Sequence, residues 1–396
     1  MQNTQKSKLV PMSGSEAIAK AVVQSNVDFA SAYPITPQTI IVERLSDLVA
    51  SGETKTTFVN VESEHSALSA CVGASLAGGR VFTATSSQGL ALMHEVLYLT
   101  SGLRCPIVMA VANRALSAPI NIHGDHSDMM GSRDSGWIQL YVENAQEGYD
   151  WCIQAYKVAE DDRVSLPFTV NMDGYVVTHS VEPIALIDDT AVANFLPSRQ
   201  SRFKIDVNNP ITFGTLTLPD YYFEFKKQQD DAMRHVPEVF SEVTKSFGDL
   251  SGRHYRDVVP FEIEDARVAI VSLGSASGTV RWVAKALRRR GLPVGALKIA
   301  LYRPFPHERV GNLLENVDVV IVLERALSLG SYTGPLGSDV ICSLYNRSGQ
   351  PRILDIVTGL GGRDLSPESI EQIYQTGLEA AKGPPGLEFE FAGVRE

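Results

Sequence analysis

Short β-prone runs recur along this chain with a helix-length segment after almost every one, and that rhythm restricts the fold more than any other feature. Val27–Ala32, Thr57–Val61, Val81–Thr85, Pro106–Val111 and Phe168–Met172 read as strands. Ser15–Gln24, Pro37–Ala50, Ser63–Ala77, Leu90–Leu103 and Tyr149–Ala159 read as helices. A strand that reaches the next through a helix returns parallel to it, and a parallel sheet is covered by helices on both faces. The expected fold is therefore α/β, with one doubly wound parallel sheet over residues 1–197. The rhythm dissolves over residues 198–260, which hold a helical stretch near Asp230–Ser246 and are expected to form a connector packing across domains. A second α/β rhythm fills residues 261–382, with strands at Arg267–Leu273, Val294–Ile299, Val319–Leu323 and Arg352–Val357. Its helices are Thr279–Arg290, His307–Leu314 and Gly337–Tyr345. The tail 383–396, opening Gly383-Pro384-Pro385-Gly386, is expected to be a surface arm.

Charge and cysteine spacing exclude several classes of function. The 396 residues carry 46 acidic and 35 basic side chains, a net charge of −11 that argues against nucleic acid or an anionic membrane surface as partner. No apolar run reaches the roughly 18 residues of a membrane span. The amino-terminal Met1-Gln2-Asn3-Thr4-Gln5-Lys6 is polar and no signal core follows it. Cys71, Cys105, Cys152 and Cys342 lie far apart without a C-x-x-C, so a self-contained zinc ribbon or iron–sulfur site is excluded and no disulfide framework is expected. The expectation is a soluble cytoplasmic protein.

Four stretches concentrate groups able to do chemistry. Tyr33-Pro34-Ile35-Thr36-Pro37 follows a strand and precedes a helix, where Thr36 reads as an N-cap with Pro37 at the first helical position. Such a helix start is also where α/β folds bind anions, so the Thr36 hydroxyl is a candidate for a substrate carboxylate. Val61-Glu62-Ser63-Glu64-His65-Ser66-Ala67 opens a helix of small residues with almost no polar face, a helix expected to be packed on most sides. Glu62 and Glu64 suit the helix dipole, yet a carboxylate at the mouth of such a helix risks burial, and buried carboxylates have partners or tasks. The small residues also suit a subunit interface. Asn121-Ile122-His123-Gly124-Asp125-His126-Ser127-Asp128 is read as a polar active-site loop; a metal site there would need a further ligand, and none is assigned. Arg114, just past a strand, has the planar fork that clamps a carboxylate, the alternative being a rim salt bridge. Farther on, Gly274-Ser275-Ala276-Ser277-Gly278-Thr279 has the look of a phosphate-cradling turn but lacks a P-loop lysine, and an ordinary capped βα turn explains it as well.

Taken in order, these stretches resemble the alpha subunit of 2-oxoacid:ferredoxin oxidoreductases, with pyruvate:ferredoxin oxidoreductase as the type case. Thr85-Ser86-Ser87-Gln88-Gly89, Asn113-Arg114-Ala115-Leu116, Leu218-Pro219-Asp220-Tyr221-Tyr222 and Thr358-Gly359-Leu360-Gly361-Gly362-Arg363-Asp364 extend the likeness over nearly the whole chain. The resemblance implies a thiamine-pyrimidine-binding domain followed by a transketolase C-terminal-like domain. It implies a thiamine diphosphate enzyme using coenzyme A, built from several chains. A beta subunit would bring the diphosphate and Mg2+ motif with a [4Fe–4S] cluster. Gamma and ferredoxin-like delta subunits would complete the assembly, with ferredoxin as electron acceptor. By that resemblance Glu64 hydrogen-bonds N1′ of the aminopyrimidine, and Thr36 and Arg114 hold the 2-oxoacid carboxylate. Pro34 and Ser87 are expected beside the cofactor.

Family likeness also bears on the substrate. Thr36 stands where oxalate-type members carry a cation, which argues against oxalate. The chain lacks the gamma-type domain that many 2-oxoglutarate enzymes carry fused in front, which favours pyruvate or an aryl relative such as phenylglyoxylate. The rival readings are another thiamine-dependent subunit that needs no cluster-bearing partners, and a non-catalytic scaffold; the intact trio Thr36, Glu64 and Arg114 speaks against the latter.

Overall fold

The computed structural model describes residues 8–395; the polar stretch Met1–Lys6 lies outside them. The chain opens with β1 (Lys8–Ser13), and Ser13 then caps α1 (Gly14–Gln24). The Ser13 hydroxyl accepts from the Glu16 N–H while the Glu16 carboxylate accepts the Ser13 N–H, a reciprocal box that fixes the helix start. Strands and helices then alternate through β2 (Phe29–Ala32), α2 (Thr39–Ala50), β3 (Thr57–Asn60), α3 (Glu64–Leu76) and β4 (Val81–Thr85). The short pair α4 (Ser87–Leu92) and α5 (His94–Gly102) replaces the single helix expected over Leu90–Leu103. β5 (Val108–Asn113), α6 (Ser127–Met130), β6 (Ile138–Tyr141), α7 (Ala145–Ala159) and β7 (Phe168–Asp173) complete the run, and β8 (Val181–Leu186) pairs antiparallel with β1 before α8 (Asp189–Phe195).

The connector holds one long helix, α9 (Pro219–Ser251), with Pro219 at its first turn and Gly252 at φ 72° closing it. Its second half buries Val236, Phe240, Val243 and Phe247, and the Phe240 ring stacks on Trp151 of α7 at 4.7 Å. The second half of the chain runs β9 (Val258–Phe261), β10 (Val268–Ser272), α10 (Ala276–Arg289), β11 (Val294–Ile299), β12 (Leu301–Arg303), α11 (His307–Leu314) and β13 (Val319–Glu324). It ends in α12 (Pro335–Leu344), β14 (Arg352–Val357), α13 (Pro367–Ala380) and β15 (Leu387–Phe391).

Two sheets result. The first has the order β12-β6-β7-β5-β4-β2-β3 and is parallel apart from β12; the second has the order β15-β14-β13-β10-β11-β9 and is parallel apart from β9. In the first sheet β2 pairs with β3 on one side and with β4 on the other. The chain therefore reverses its direction of travel at β2. The crevice at the carboxyl ends of the strands beside such a reversal is where α/β sheets take their ligands.

Three features depart from the sequence reading. The tail is not a free arm, because Leu387–Phe391 adds a parallel strand beside β14 from Ile353↔Leu387 to Val357↔Phe391. Alternating Leu387, Phe389 and Phe391 with glutamates is a period-two strand signal that the preceding Pro-Pro masks. Val258–Phe261, expected in the connector, is an edge strand of the second sheet. β12, though it lies among the second set of strands, pairs with β6 of the first sheet, so the two halves share an edge. They share a core as well: Met129, Trp137 and Tyr141 pack in one cluster with Val271, Leu297 and Tyr302. A buried ion pair spans the same seam, Lys298 on β11 meeting Glu147 on α7 at 2.6 Å.

Candidate active site

The site residues that the resemblance implies stand at the carboxyl ends of four neighbouring strands. Pro34 and Thr36 follow β2, Glu64 opens α3 after β3, Ser87 opens α4 after β4, and Arg114 follows β5. The order β5-β4-β2-β3 sets these four loops side by side at the topological switch.

Thr36 and Arg114 touch. The Arg114 Nη1 donates to the Thr36 main-chain carbonyl at 3.0 Å, and Nε donates to the Asn121 carbonyl at 2.9 Å. Arg114 is 6% exposed, so its guanidinium is buried between these two loops. Thr36 and Pro34 remain exposed at the loop surface. Thr36 does not cap α2: the helix begins at Thr39, its N-cap is Gln38, and no side chain caps it. Gln38, fully buried and missed from sequence, braces this loop instead. Its Oε1 accepts the Ile35 N–H at 3.2 Å and its Nε2 donates to the Ala84 carbonyl at 3.0 Å, which ties the loop after β2 to the end of β4.

Glu64 is 7% exposed at the mouth of α3, where the Ser63 hydroxyl accepts the Ser66 N–H as cap. No described residue donates a hydrogen bond to its carboxylate. Space beside it is kept by Gly89: a Cβ there would stand 2.6 Å from Glu64 Oε1 and 2.6 Å from Thr85 Oγ1. Thr85 Oγ1 and Ser86 Oγ are buried without a protein partner. α3 packs on one side only, through Ala67, Leu68, Cys71 and Val72, while Ser69, Gly73 and Ala77 face outward; the expected packing on most sides is not made within this chain.

Ser87 is held through Asp128. The Asp128 carboxylate, 3% exposed, accepts the N–H groups of Ser87 at 3.0 Å, Arg114 at 2.9 Å and Met129 at 2.7 Å, and the Asn113 amide at 2.9 Å. Burial pushes its carboxyl up to about 6, although these donors favour the charged form. The Ser87 hydroxyl lies 2.5 Å from the Ala115 carbonyl, an internal acceptor. Asp125 is likewise saturated, by the Ser127 N–H and hydroxyl and by the Gly361 N–H at 3.0 Å. The loop 121–128 is thus a brace joining Arg114 and Ser87 to the other half of the chain. Among the described residues no group of three or more His, Cys, Asp or Glu is placed to hold a metal ion.

Asp173, at the end of β7, closes the seam. It meets His126 Nε2 at 2.6 Å, Arg325 Nη1 at 2.8 Å and the Ser275 N–H at 2.8 Å. The turn at Gly274–Thr279 therefore already has its anion, a carboxylate from the first sheet. Burial alone would raise the Asp173 pKa; Arg325 and His126 outweigh it and hold the carboxyl well below its usual range.

Comparison with known families bears on what this crevice takes. Residues 20–245 match the family described as pyruvate flavodoxin/ferredoxin oxidoreductase, thiamine diP-bdg, and residues 266–370 match pyruvate:ferredoxin oxidoreductase core domain II. The chain belongs to the 2-oxoacid:ferredoxin oxidoreductase family, as an alpha subunit. Among relatives of this alpha subunit, pyruvate synthase subunit PorA of Thermotoga maritima is 48% identical over 93% of this chain and 94% of that one. PorA of Pyrococcus furiosus is 44% identical over 94% of each chain, and ketoisovalerate oxidoreductase subunit VorA of Pyrococcus abyssi is 40% identical over 92% of each. The fold is that of a 2-oxoglutarate:ferredoxin oxidoreductase from Magnetococcus marinus, with a TM-score of 0.75 at 21% identity; the likeness covers 94% of this alpha subunit and 66% of that chain. A split-gene transketolase follows at a TM-score of 0.55 and 13% identity, over 93% and 99% of the two chains.

The crevice fits the pyrimidine half of thiamine diphosphate. A nearly buried carboxylate without a protein donor, a glycine whose missing side chain lets that carboxylate lie against it and an unpartnered buried hydroxyl match a flat ring that offers N–H groups and an acceptor.

Proposed function

We propose that this alpha subunit supplies the pyrimidine-side half of an active site for the oxidative decarboxylation of pyruvate to an acyl-CoA and CO2. The observation that carries the reading is Glu64, a carboxylate lodged beside Gly89 with its hydrogen-bonding capacity unspent inside the chain. Thiamine diphosphate, when bound, supplies the nucleophilic carbon that adds to the keto group and accepts the electron pair released with CO2. Glu64 would accept from N1′ of the pyrimidine and so govern its proton balance; Pro34 and Ser87 would flank the ring, Ser87 through its main chain since its hydroxyl has an internal acceptor. The exposed Thr36 hydroxyl and the free edge of Arg114 would hold the substrate carboxylate at the mouth of the crevice.

The remaining functions would come from partner chains. A beta subunit would hold the diphosphate, Mg2+ and a [4Fe–4S] cluster, and gamma and delta subunits would supply further clusters and complete the coenzyme A site. Electrons would leave one at a time to ferredoxin. Among the described residues no helix is long and apolar enough to cross a membrane, and the cytoplasm is the proposed location. Pyruvate is preferred to 2-oxoglutarate or an aryl 2-oxoacid because the PorA relatives act as pyruvate synthase subunits.

The test is reconstitution. The assembled complex is expected to reduce ferredoxin with pyruvate and coenzyme A, and this chain alone is expected to be colourless and inactive. Stoichiometric iron–sulfur absorbance in the lone chain would overturn the division of labour, and an assembled complex that turns over another 2-oxoacid but not pyruvate would overturn the substrate.

A further inference from the structure

The Arg114 guanidinium is held from two sides, and one of them leads into the other half of the chain. Its Nε donates to the Asn121 main-chain carbonyl at 2.9 Å. Asn121 is fixed by its own side chain: Nδ2 donates to the Gly361 carbonyl at 3.0 Å, and Oδ1 accepts the His123 N–H at 2.7 Å. The Gly361 N–H in turn goes to Asp125 Oδ2 at 3.0 Å, so the contact is made in both directions.

Gly361 lies in the turn after β14, where Gly359, Gly361 and Gly362 all have positive φ, at 68°, 58° and 76°. Side chains would be strained there whatever the space. Space is lacking too. A Cβ on Gly361 would stand 2.5 Å from Asn121 Nδ2, and one on Gly362 would stand 2.3 Å from the His123 Cβ. The turn is pressed onto residues 121–123 as closely as a backbone can be.

We propose that Asn121 is a positioning residue for the 2-oxoacid carboxylate, through which the Gly359–Gly362 turn of the second sheet sets the rotation of the Arg114 fork. The proposal rests on Arg114 as the carboxylate-binding group. The Asn121 carbonyl takes the inner edge of the guanidinium; the Asn121 side chain, anchored to Gly361, decides where that carbonyl stands. A planar fork pairs with a carboxylate only when the two planes align, so a small rotation at Nε is felt at the outer edge. The second half of the chain thereby takes part in substrate recognition without touching substrate.

The experiment compares pyruvate with methyl pyruvate, which keeps the keto group and loses the charge, in the complete complex. The readout is the ratio of the two kcat/KM values, with hydrogen–deuterium exchange at C2 of bound thiamine, measured without substrate, as a second readout. Arg114→Ala should erase most of the preference for the acid. Asn121→Ala should lower it by roughly 10–100-fold, the scale of a misplacement of about 1 Å, while C2 exchange stays at the wild-type rate. Asn121→Asp keeps the size of the side chain but cannot donate to Gly361; it should also lower the preference, and it stands in if Asn121→Ala does not assemble. An Asn121 variant that slows acid and ester equally, or that leaves the ratio intact while Arg114→Ala destroys it, overturns the proposal. A ratio unchanged in Arg114→Ala overturns the assignment of Arg114 itself, and with it the role of Asn121.

Discussion

The Arg114 guanidinium donates to the main-chain carbonyl of Thr36 at 3.0 Å, which locks the loop after β5 to the loop after β2. Of its five N–H hydrogens, one on Nε goes to Asn121 and one on Nη1 to Thr36. Three remain, one on Nη1 and both on Nη2, and the Nη2 pair has no acceptor among the described residues, so it is available to a planar carboxylate. The guanidinium is thus fixed by two of the chain's own carbonyls.

Arg114→Ala should therefore weaken transition-state stabilisation by about 2–4 kcal/mol, the range for losing one partner of a buried charged pair. Binding of thiamine diphosphate should change little, because the Arg114 guanidinium bonds the Thr36 and Asn121 carbonyls and makes no hydrogen bond to Glu64. Steady-state kcat/KM of the assembled complex for pyruvate checks this; a value near wild type would reduce Arg114 to a brace between loops.

Glu64→Gln tests the cofactor assignment. The amide keeps the size of the carboxylate but cannot carry its proton balance, so C2 deprotonation should slow by roughly two orders of magnitude or more, the usual contribution of one acid–base group. Folding should be nearly unaffected, since no described residue donates to this carboxylate. Hydrogen–deuterium exchange at C2 of bound thiamine is the measurement, and an unchanged rate would leave Glu64 as a helix-dipole acid.

Gly89→Ala probes the space instead of the charge. The added methyl would meet Glu64 Oε1 and Thr85 Oγ1 at 2.6 Å each and so push the carboxylate off the position proposed to meet the pyrimidine ring. Thiamine diphosphate affinity of the complex should drop by about tenfold or more, with the chain still folded, since overpacking of this size costs on the order of 1–3 kcal/mol. Titration of the cofactor by calorimetry reads it directly; wild-type affinity would mean that the ring sits elsewhere.

Most of the first sheet was legible because its strands are short, β-branched and separated by helices of ordinary length, and Val81–Thr85 was read to the residue. The site residues were legible as loop positions after strands. What could not be read was their partners. Asp128 looks like one more polar residue in a His/Asp loop, yet the Ser87 and Arg114 N–H groups converge on it only once β4 and β5 are adjacent. Gln38 sits beside a proline in a turn, and nothing in its neighbours announces a bond to Ala84. β12 and β15 were missed for a different reason. A three-residue strand carries no period, and a strand after Pro384-Pro385 competes with the tendency of that pair to end structure.

Asp173 joins the two halves, and its removal should show it. The carboxylate is fully buried, and it meets His126, Arg325 and the Ser275 N–H together. Asp173→Asn leaves Arg325, itself 5% exposed, without its anion, and breaking a buried pair from one side costs about 3–5 kcal/mol. The sign of the pH dependence follows from the direction of the shift. Because Arg325 and His126 hold the carboxyl below its usual range, its stabilisation is complete above the unfolded carboxylate pKa of about 4 and is lost as the pH falls through the lower folded value. The wild type should therefore exceed Asp173→Asn in unfolding midpoint at pH 7, and the gap should narrow as the pH drops below about 4. Thermal unfolding of both proteins across that range is the measurement. A gap that stays constant into acid would mean that Asp173 contributes shape and hydrogen bonds but not charge, and the charge pairing of the seam would then rest on Lys298 with Glu143 and Glu147.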